Sequence, residues 1–283
     1  MKSLRQKGKF KGKIVICDNV INNNKIVKNG TFSADQLHSL RKYKVEIVTF
    51  NELLISNNIR YKKITRIRAR NDITTAQLLK FVYCTLISKK YLGKVNRIFF
   101  SDSDIYFQDK IDKIFHNVKK PLIYFILERR NIRKDKWIQN SIFYSDFWPL
   151  TNFDRYQKTI LKGNNICTGF FGSKADVFNK FCLLAWLIAS NNILKFHCDQ
   201  PLANIMVNFF NISYEVIAND LIFNFSGSKQ GNYVSFEKKK MQFKVDDKVY
   251  PAVHFNGREG SKLFQVLMGK IDMDEYYNFI KSV

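Results

Sequence analysis

The sequence predicts an α/β fold, a mostly parallel central sheet flanked by helices and forming a single compact unit. Three observations carry this. Short apolar runs alternate with segments of helical period. Polar residues cluster where the apolar runs end. Glycine and proline, at 12 and 4, are too sparse for long linkers.

The alternation opens at residues 13–18 (KIVICD), an apolar run that ends in the carboxylate of Asp18 and reads as a buried strand. Ser33 then offers an N-cap for a helix over 34–43. A second strand is expected over 45–50, ending at Asn51. Caps at 71–75 open a helix to residue 89, with Leu78, Leu79, Val82 and Leu86 at helical spacing. Residues 97–100 (RIFF) form a third strand, which runs directly into Ser101-Asp102-Ser103-Asp104. Parallel sheets bind ligands at the carboxyl ends of their strands. Asp18, Asn51 and the Asp102/Asp104 pair are therefore expected on one edge. Further strands are expected over 122–127, 166–172, 214–218 and 249–255, with an apolar helix over 175–190. Another helix opens at Asp199-Gln200-Pro201, with proline in its first turn. Residues from about 13 to 110 read as a nucleotide-binding part, and those from about 111 to 283 as an acceptor-side part of the same domain.

Composition narrows the function. The 283 residues are 46% hydrophobic and 25% charged, ample for a core. The net charge of +23, from 47 Lys+Arg against 24 Asp+Glu, attracts polyanions: nucleic acid, anionic lipid or phosphorylated substrates. Richness in Lys, Asn and Ile produces the same charge by compositional bias alone. The five cysteines are odd in number and include no C-x-x-C, which fits reduced thiols in a cytoplasmic protein. No signal-peptide pattern opens the sequence, and the longest apolar run, 181–189, is half a membrane span. The expected location is cytoplasmic, with peripheral contact at the inner membrane face as a further option.

Four short motifs can carry chemistry. Alternate residues of an extended chain point the same way, so Asp102 and Asp104 can face one divalent cation. Mn²⁺ or Mg²⁺ suits such a pair, because it takes oxygen ligands and keeps positions for phosphate oxygens. The pair alone is also what a solvated turn looks like. Residues 253–257 (VHFNG) place His254, a candidate third ligand, ahead of Gly257, where backbone can approach a phosphate. Arg258 and Lys262 follow as cations for a diphosphate. His254 can equally be a half-buried histidine before a turn. Residues 164–170 (NNICTGF) supply Thr168 and Gly169, either for sugar hydroxyls or as a turn opening a strand. Residues 197–200 (HCDQ) supply Asp199 and Gln200, for sugar or acceptor contacts or, in the case of Asp199, for helix capping.

In this order the motifs resemble the GT-A-fold glycosyltransferases, whose sheet is Rossmann-related. They are most similar to the retaining group of glycogenin and the bacterial lipopolysaccharide galactosyl- and glucosyltransferases. The resemblance spans roughly residues 13–262 as an ordered set of short motifs. It implies a hexosyltransferase using a nucleotide-diphosphate sugar, UDP-sugar favoured, and a glycan or glycolipid acceptor. It implies Asp102, Asp104 and His254 as ligands of Mn²⁺ or Mg²⁺. Thr168 and Gly169 would line the sugar pocket, and Asp199 and Gln200 would be the catalytic pair beside it. Asp18, Asn51 and Arg70 would serve the nucleotide. The group places a lysine two residues closer to the glycine and follows it with Pro-Trp. Here Arg258-Glu259-Gly260-Ser261-Lys262-Leu263 leaves Arg258 or Lys262 for the phosphate. The group's Tyr-x-x-Arg-like signature is replaced by Thr74-Thr75-Ala76-Gln77.

Two other readings compete. A sugar nucleotidyltransferase needs a Gly-rich loop after the first strand, and residues 20–24 (VINNN) provide none. A nucleic-acid-binding protein suits the charge, but the basic residues are dispersed and form no known binding module. The basic segments 60–70 and 129–136 are either solvated faces or contacts to an anionic membrane.

Overall fold

The apolar runs fold as strands and the capped segments as helices. In the computed structural model, which describes residues 1–18, 21–22, 25–26, 32–60, 72–116, 118–128, 130–143, 153–191, 196–225 and 233–282, the chain begins with α1 (Lys2–Gln6), β1 (Ile14–Asp18), β2 (Ile21–Asn22) and β3 (Lys25–Ile26). It continues through α2 (Ala34–Arg41), β4 (Val45–Thr49), α3 (Phe50–Ser56), α4 (Asp72–Tyr91), β5 (Arg97–Ser101), β6 (Ile105–Phe107), α5 (Asp112–His116) and β7 (Ile123–Leu127). A 3₁₀ turn (Ile132–Lys134) leads to α6 (Lys136–Phe143), α7 (Phe153–Lys162), β8 (Ile166–Lys174), α8 (Ala175–Ala189) and α9 (Asp199–Asn208). The last elements are β9 (Tyr214–Val216), β10 (Ile222–Asn224), β11 (Val234–Glu237), β12 (Gln242–Val245), β13 (Ala252–His254), α10 (Gly257–Leu267) and α11 (Met273–Ser282).

Local chemistry sets the boundaries. Ser33 caps α2 as expected, in a reciprocal box with Gln36. Thr49 ends β4 and at the same time caps α3, boxed with Glu52. The chain therefore turns from strand to helix without a loop. This places Asn51 in the first turn of α3 rather than at a free strand end.

The four-stranded sheet has the order β5-β8-β7-β9. Here the expectation of a mostly parallel sheet needs correction. β7 and β9 are parallel, but β8 lies antiparallel between β5 and β7. The physical reason is the excursion through α6 and α7. It leaves β7 and returns beside the same strand end, where the Glu128 N–H donates to the Asn165 carbonyl at 2.8 Å. Alternating β and α segments imply parallel strands only when each helix crosses to the opposite end of the sheet. β1 and β4 pair in parallel, as do β10 and β13, while β6 is antiparallel to β13.

β7 and β8 are buried on both faces. Phe171 and Phe125, both at 0% exposure, stack at 5.6 Å on the face covered by α4 and α8, with Phe81, Phe178 and Phe181 around them. Tyr124, Ile126, Cys167 and Phe170 point to the other face, against Ile105, Phe107 and Leu4. A third cluster joins β10, β13 and the β11–β12 hairpin to α10 and α11.

One irregularity matters for the site. Phe125 pairs with Phe171, but the next residue, Ile126, pairs with Cys167. Thr168, Gly169 and Phe170 thus bulge from the β7 side of β8 while the β5 side stays paired. Bulges re-aim side chains in this way next to active sites.

Candidate active site

β5 delivers the first carboxylate. Past the end of the strand, the Asp102 N–H still donates to the Gly169 carbonyl at 2.7 Å. The chain then turns through Ser103 and Asp104 into β6, whose first residue, Ile105, stands opposite His254 of β13. The Phe255 N–H closes the corner on the Asp104 carbonyl at 3.1 Å. Asp102, Asp104 and His254 each bring a ligand atom to within 4.8 Å of the others. His254 Nε2 lies 3.4 Å from Asp104 Oδ1, and the residue is only 2% exposed.

Three features fit this triad to a divalent cation. Asp104 Oδ1 is buried and accepts no hydrogen bond among the described residues. A buried carboxylate oxygen without a donor is costly, and a cation there would satisfy it. Two carboxylates and an imidazole are a donor set that Mn²⁺ and Mg²⁺ accept. Finally, the bulge at Gly169 makes room for the imidazole. A Cβ on Gly169 would stand 2.6 Å from His254 Nε2 and closer still to Cε1. Gly169 therefore seats His254. Gly169→Ala should displace the ring and weaken Mn²⁺ affinity about 10–100-fold, as loss of supporting contacts around metal ligands does. Isothermal titration with Mn²⁺ measures this, and wild-type affinity in the variant would refute the seating role.

Lys80 of α4, which the sequence analysis did not single out, reaches the same edge. Its ammonium lies 3.2 Å from Asp102 Oδ1 and 2.6 Å from Asp199 Oδ2. It also donates to the Thr168 carbonyl at 3.2 Å and sits 4.6 Å above the Phe100 ring. Thr168 Oγ1 donates to the same Asp199 oxygen at 2.8 Å. Burial alone would lower the Lys80 pKa, but Asp199 and Asp102 outweigh it and hold the ammonium above the ordinary lysine range. Burial raises the Asp102 pKa, against the pull of Lys80. Asp199 leads α9, yet its carboxylate goes to Lys80 and Thr168, and no side chain caps that helix. Gln200 donates to Asn165 Oδ1 at 3.4 Å.

A second carboxylate missed in the sequence is Glu128, buried just beyond β7. It accepts from Asn224 at 3.1 Å and from Asn256 at 3.3 Å. Cys167, whose Sγ lies 3.7 Å from His254 Nδ1, is pushed well above the usual thiol range by burial, with Glu128 adding to it. Burial likewise pushes Cys17 and Cys198 up to about 12. All five cysteines are free, as expected.

Asp18 ends β1, buried and in register with Thr49. Burial pushes the Tyr83 hydroxyl of α4 well above the usual tyrosine range, with Cys84 adding to it. Arg70 and most of the 60–70 segment lie outside the described residues. Gly257 opens α10 at φ +73°, a left-handed conformation that suits glycine. Gly257, Arg258, Ser261 and Lys262 line an open cavity of about 580 Å³ with Phe279. Lys262 Nζ lies 5.3 Å from the Phe279 ring. The N-cap of α10, Asn256, spends its side chain on Glu128, so the first amides of that helix have no side-chain cap. In the 129–136 segment, Arg130, Arg133, Lys134 and Lys136 are exposed. No helix among the described residues is long and apolar enough to cross a membrane.

No protein-family model and no curated protein sequence matches the chain. Solved structures do. One is the apo form of mouse xyloside xylosyltransferase 1, at 11% identity and a TM-score of 0.45, covering 69% of this chain and 72% of that one. Another is the apo WbbM bifunctional glycosyltransferase, at 13% identity and a TM-score of 0.53. That match covers 91% of this chain but only 42% of WbbM. The WbbM match shows an α/β fold that a glycosyltransferase also has, in agreement with the GT-A-type resemblance of the motif order.

Proposed function

We propose that the chain is a metal-dependent glycosyltransferase. It would move a hexose from a nucleotide-diphosphate sugar, UDP-sugar favoured, to a glycan or glycolipid acceptor with retention at the anomeric carbon. The observation that carries this is the meeting of Asp102, Asp104 and His254 beside the Lys80–Asp199–Thr168 network.

Asp102, Asp104 and His254 would hold Mn²⁺ or Mg²⁺, which when bound neutralises charge on the departing nucleoside diphosphate. The uncapped amides of α10, with Arg258 or Lys262, add positive potential for the same phosphates. Asp18 and Asn51, near the paired ends of β1 and β4, would serve base and ribose. Asp199 Oδ2 is engaged by both Lys80 and Thr168, which fixes the carboxylate and disfavours it as a mobile general base. That supports retention, for which the leaving phosphate itself can take the acceptor proton. Gln200, which donates through its nitrogen to Asn165, would turn its oxygen to the positive charge that develops at the sugar. The enzyme would be cytoplasmic, and the net charge of +23 with the exposed Arg130, Arg133, Lys134 and Lys136 supports peripheral contact with an anionic membrane.

The test is a panel of UDP-, GDP-, CMP- and dTDP-sugars with Mn²⁺, Mg²⁺ or EDTA, read by nucleotide release and thermal shift. One donor should stabilise the protein and be hydrolysed only with metal. No response to any donor would overturn the reading.

A further inference from the structure

Trp137 is half exposed, at 49%, on the second residue of α6. An exposed indole is a large apolar surface left in water, and tryptophan is among the residues most enriched at binding hot spots. Its backbone is held in place. Asp135 Oδ1 accepts from the N–H groups of Trp137 and Ile138, both at 3.1 Å, which holds the start of α6. Asp135 Oδ2 accepts from Asn165 at 3.2 Å, and Asn165 Oδ1 accepts from Gln200 at 3.4 Å. Asn165 is 1% exposed, so this relay runs through the interior. A second tie is His197, two residues before Asp199, whose ring meets the indole edge-on at 5.9 Å and 78°. Beside this contact, half of the Trp137 surface remains accessible.

We propose that Trp137 is the platform on which a pyranose ring of the acceptor stacks, in register with Asp199 and Gln200. The apolar C–H face of a pyranose covers an indole, while its hydroxyls remain free to hydrogen-bond at the rim. The relay from Asp135 through Asn165 to Gln200 would then set the distance between the stacked ring and the transferred sugar. The inference rests on the glycosyltransferase reading, and its test is partly independent of it.

Tryptophan emission should be followed while the full-length protein is titrated with lactose, cellobiose, maltose, xylobiose and a glucuronosyl disaccharide, without donor. At least one should change the emission saturably, and Trp137→Ala should abolish the change. In the transfer assay Trp137→Ala should raise the acceptor KM about tenfold, a loss of ~1.4 kcal/mol, while the donor KM moves less than about twofold. Trp137→Phe should restore most of the difference. A saturable signal that survives in Trp137→Ala, no signal from any sugar, or a wild-type acceptor KM in the variant would each overturn the platform. A Trp137-dependent signal in a protein that neither binds nor hydrolyses any nucleotide sugar would uphold the platform and remove the transferase reading.

Discussion

Asp104→Asn is expected to lose the Mn²⁺-dependent rise in melting temperature and to lower donor hydrolysis about 10²–10³-fold. The substitution keeps the size of the side chain and removes only its charge. Among the described residues Lys80 pairs with Asp102 and Asp199, not Asp104, whose Oδ1 accepts no hydrogen bond and lies 3.4 Å from His254 Nε2. In EDTA the variant should therefore melt like the wild type. Asp102→Asn should behave differently. It removes the same ligand charge but also one of the two carboxylates that neutralise a buried ammonium. It should lose metal response and also melt lower in EDTA. Thermal scans of both variants with and without Mn²⁺ separate the two roles. Equal melting of the two in EDTA would show that Lys80 does not depend on Asp102.

Lys80→Met is expected to destabilise the fold by about 3–5 kcal/mol, the usual loss when one partner of a buried ion pair is removed. In melting temperature that is roughly 10 °C. Lys80 is only 5% exposed, so little solvent screens the change. Without it, the buried Asp199 loses its cation, and the one-third-exposed Asp102 loses the same partner. The loss should shrink when Asp199→Asn is added, because the double variant no longer buries a carboxylate without its cation. Urea unfolding of the two single variants and the double variant measures this coupling. Additive losses would mean that the ammonium acts on something other than the two carboxylates.

What could be read in the sequence follows from how each signal arises. Asp18 and Asp102 were legible because a carboxylate closing an apolar run is unusual in a basic chain. The same signal marks Glu128 after Ile123–Leu127, but no motif continues from it to give it a chemical reading. Lys80 was hidden by abundance, one among 47 basic residues. Its signature is local: a lone cation inside Leu78, Leu79, Phe81 and Val82, all buried, has no solvent-facing side to occupy. A charge within a segment that is buried all round must have partners. β6 and β10, three residues each, were too short to show a period. The antiparallel insertion of β8 was illegible for another reason. Direction within a sheet depends on where the chain returns after α7, which is a matter of long-range pairing and not of local pattern. The seating of His254 on Gly169 joins two distant segments in the same way.

The position of β13 has a consequence for how the protein is made. It lies between β6 and β10, both of which leave the ribosome before it does. Asp102 and Asp104 emerge early, but the nascent chain cannot complete their site until the strand carrying His254 has followed. Until then β6 and β10 wait with unpaired inner edges, a state prone to engage chaperones or other chains. Shortening the chain from its carboxyl end is therefore not a graded injury. Stopping synthesis ahead of Ala252 would leave the two flanking strands without the partner that joins them, and the product would be a client of quality control instead of a weakened catalyst.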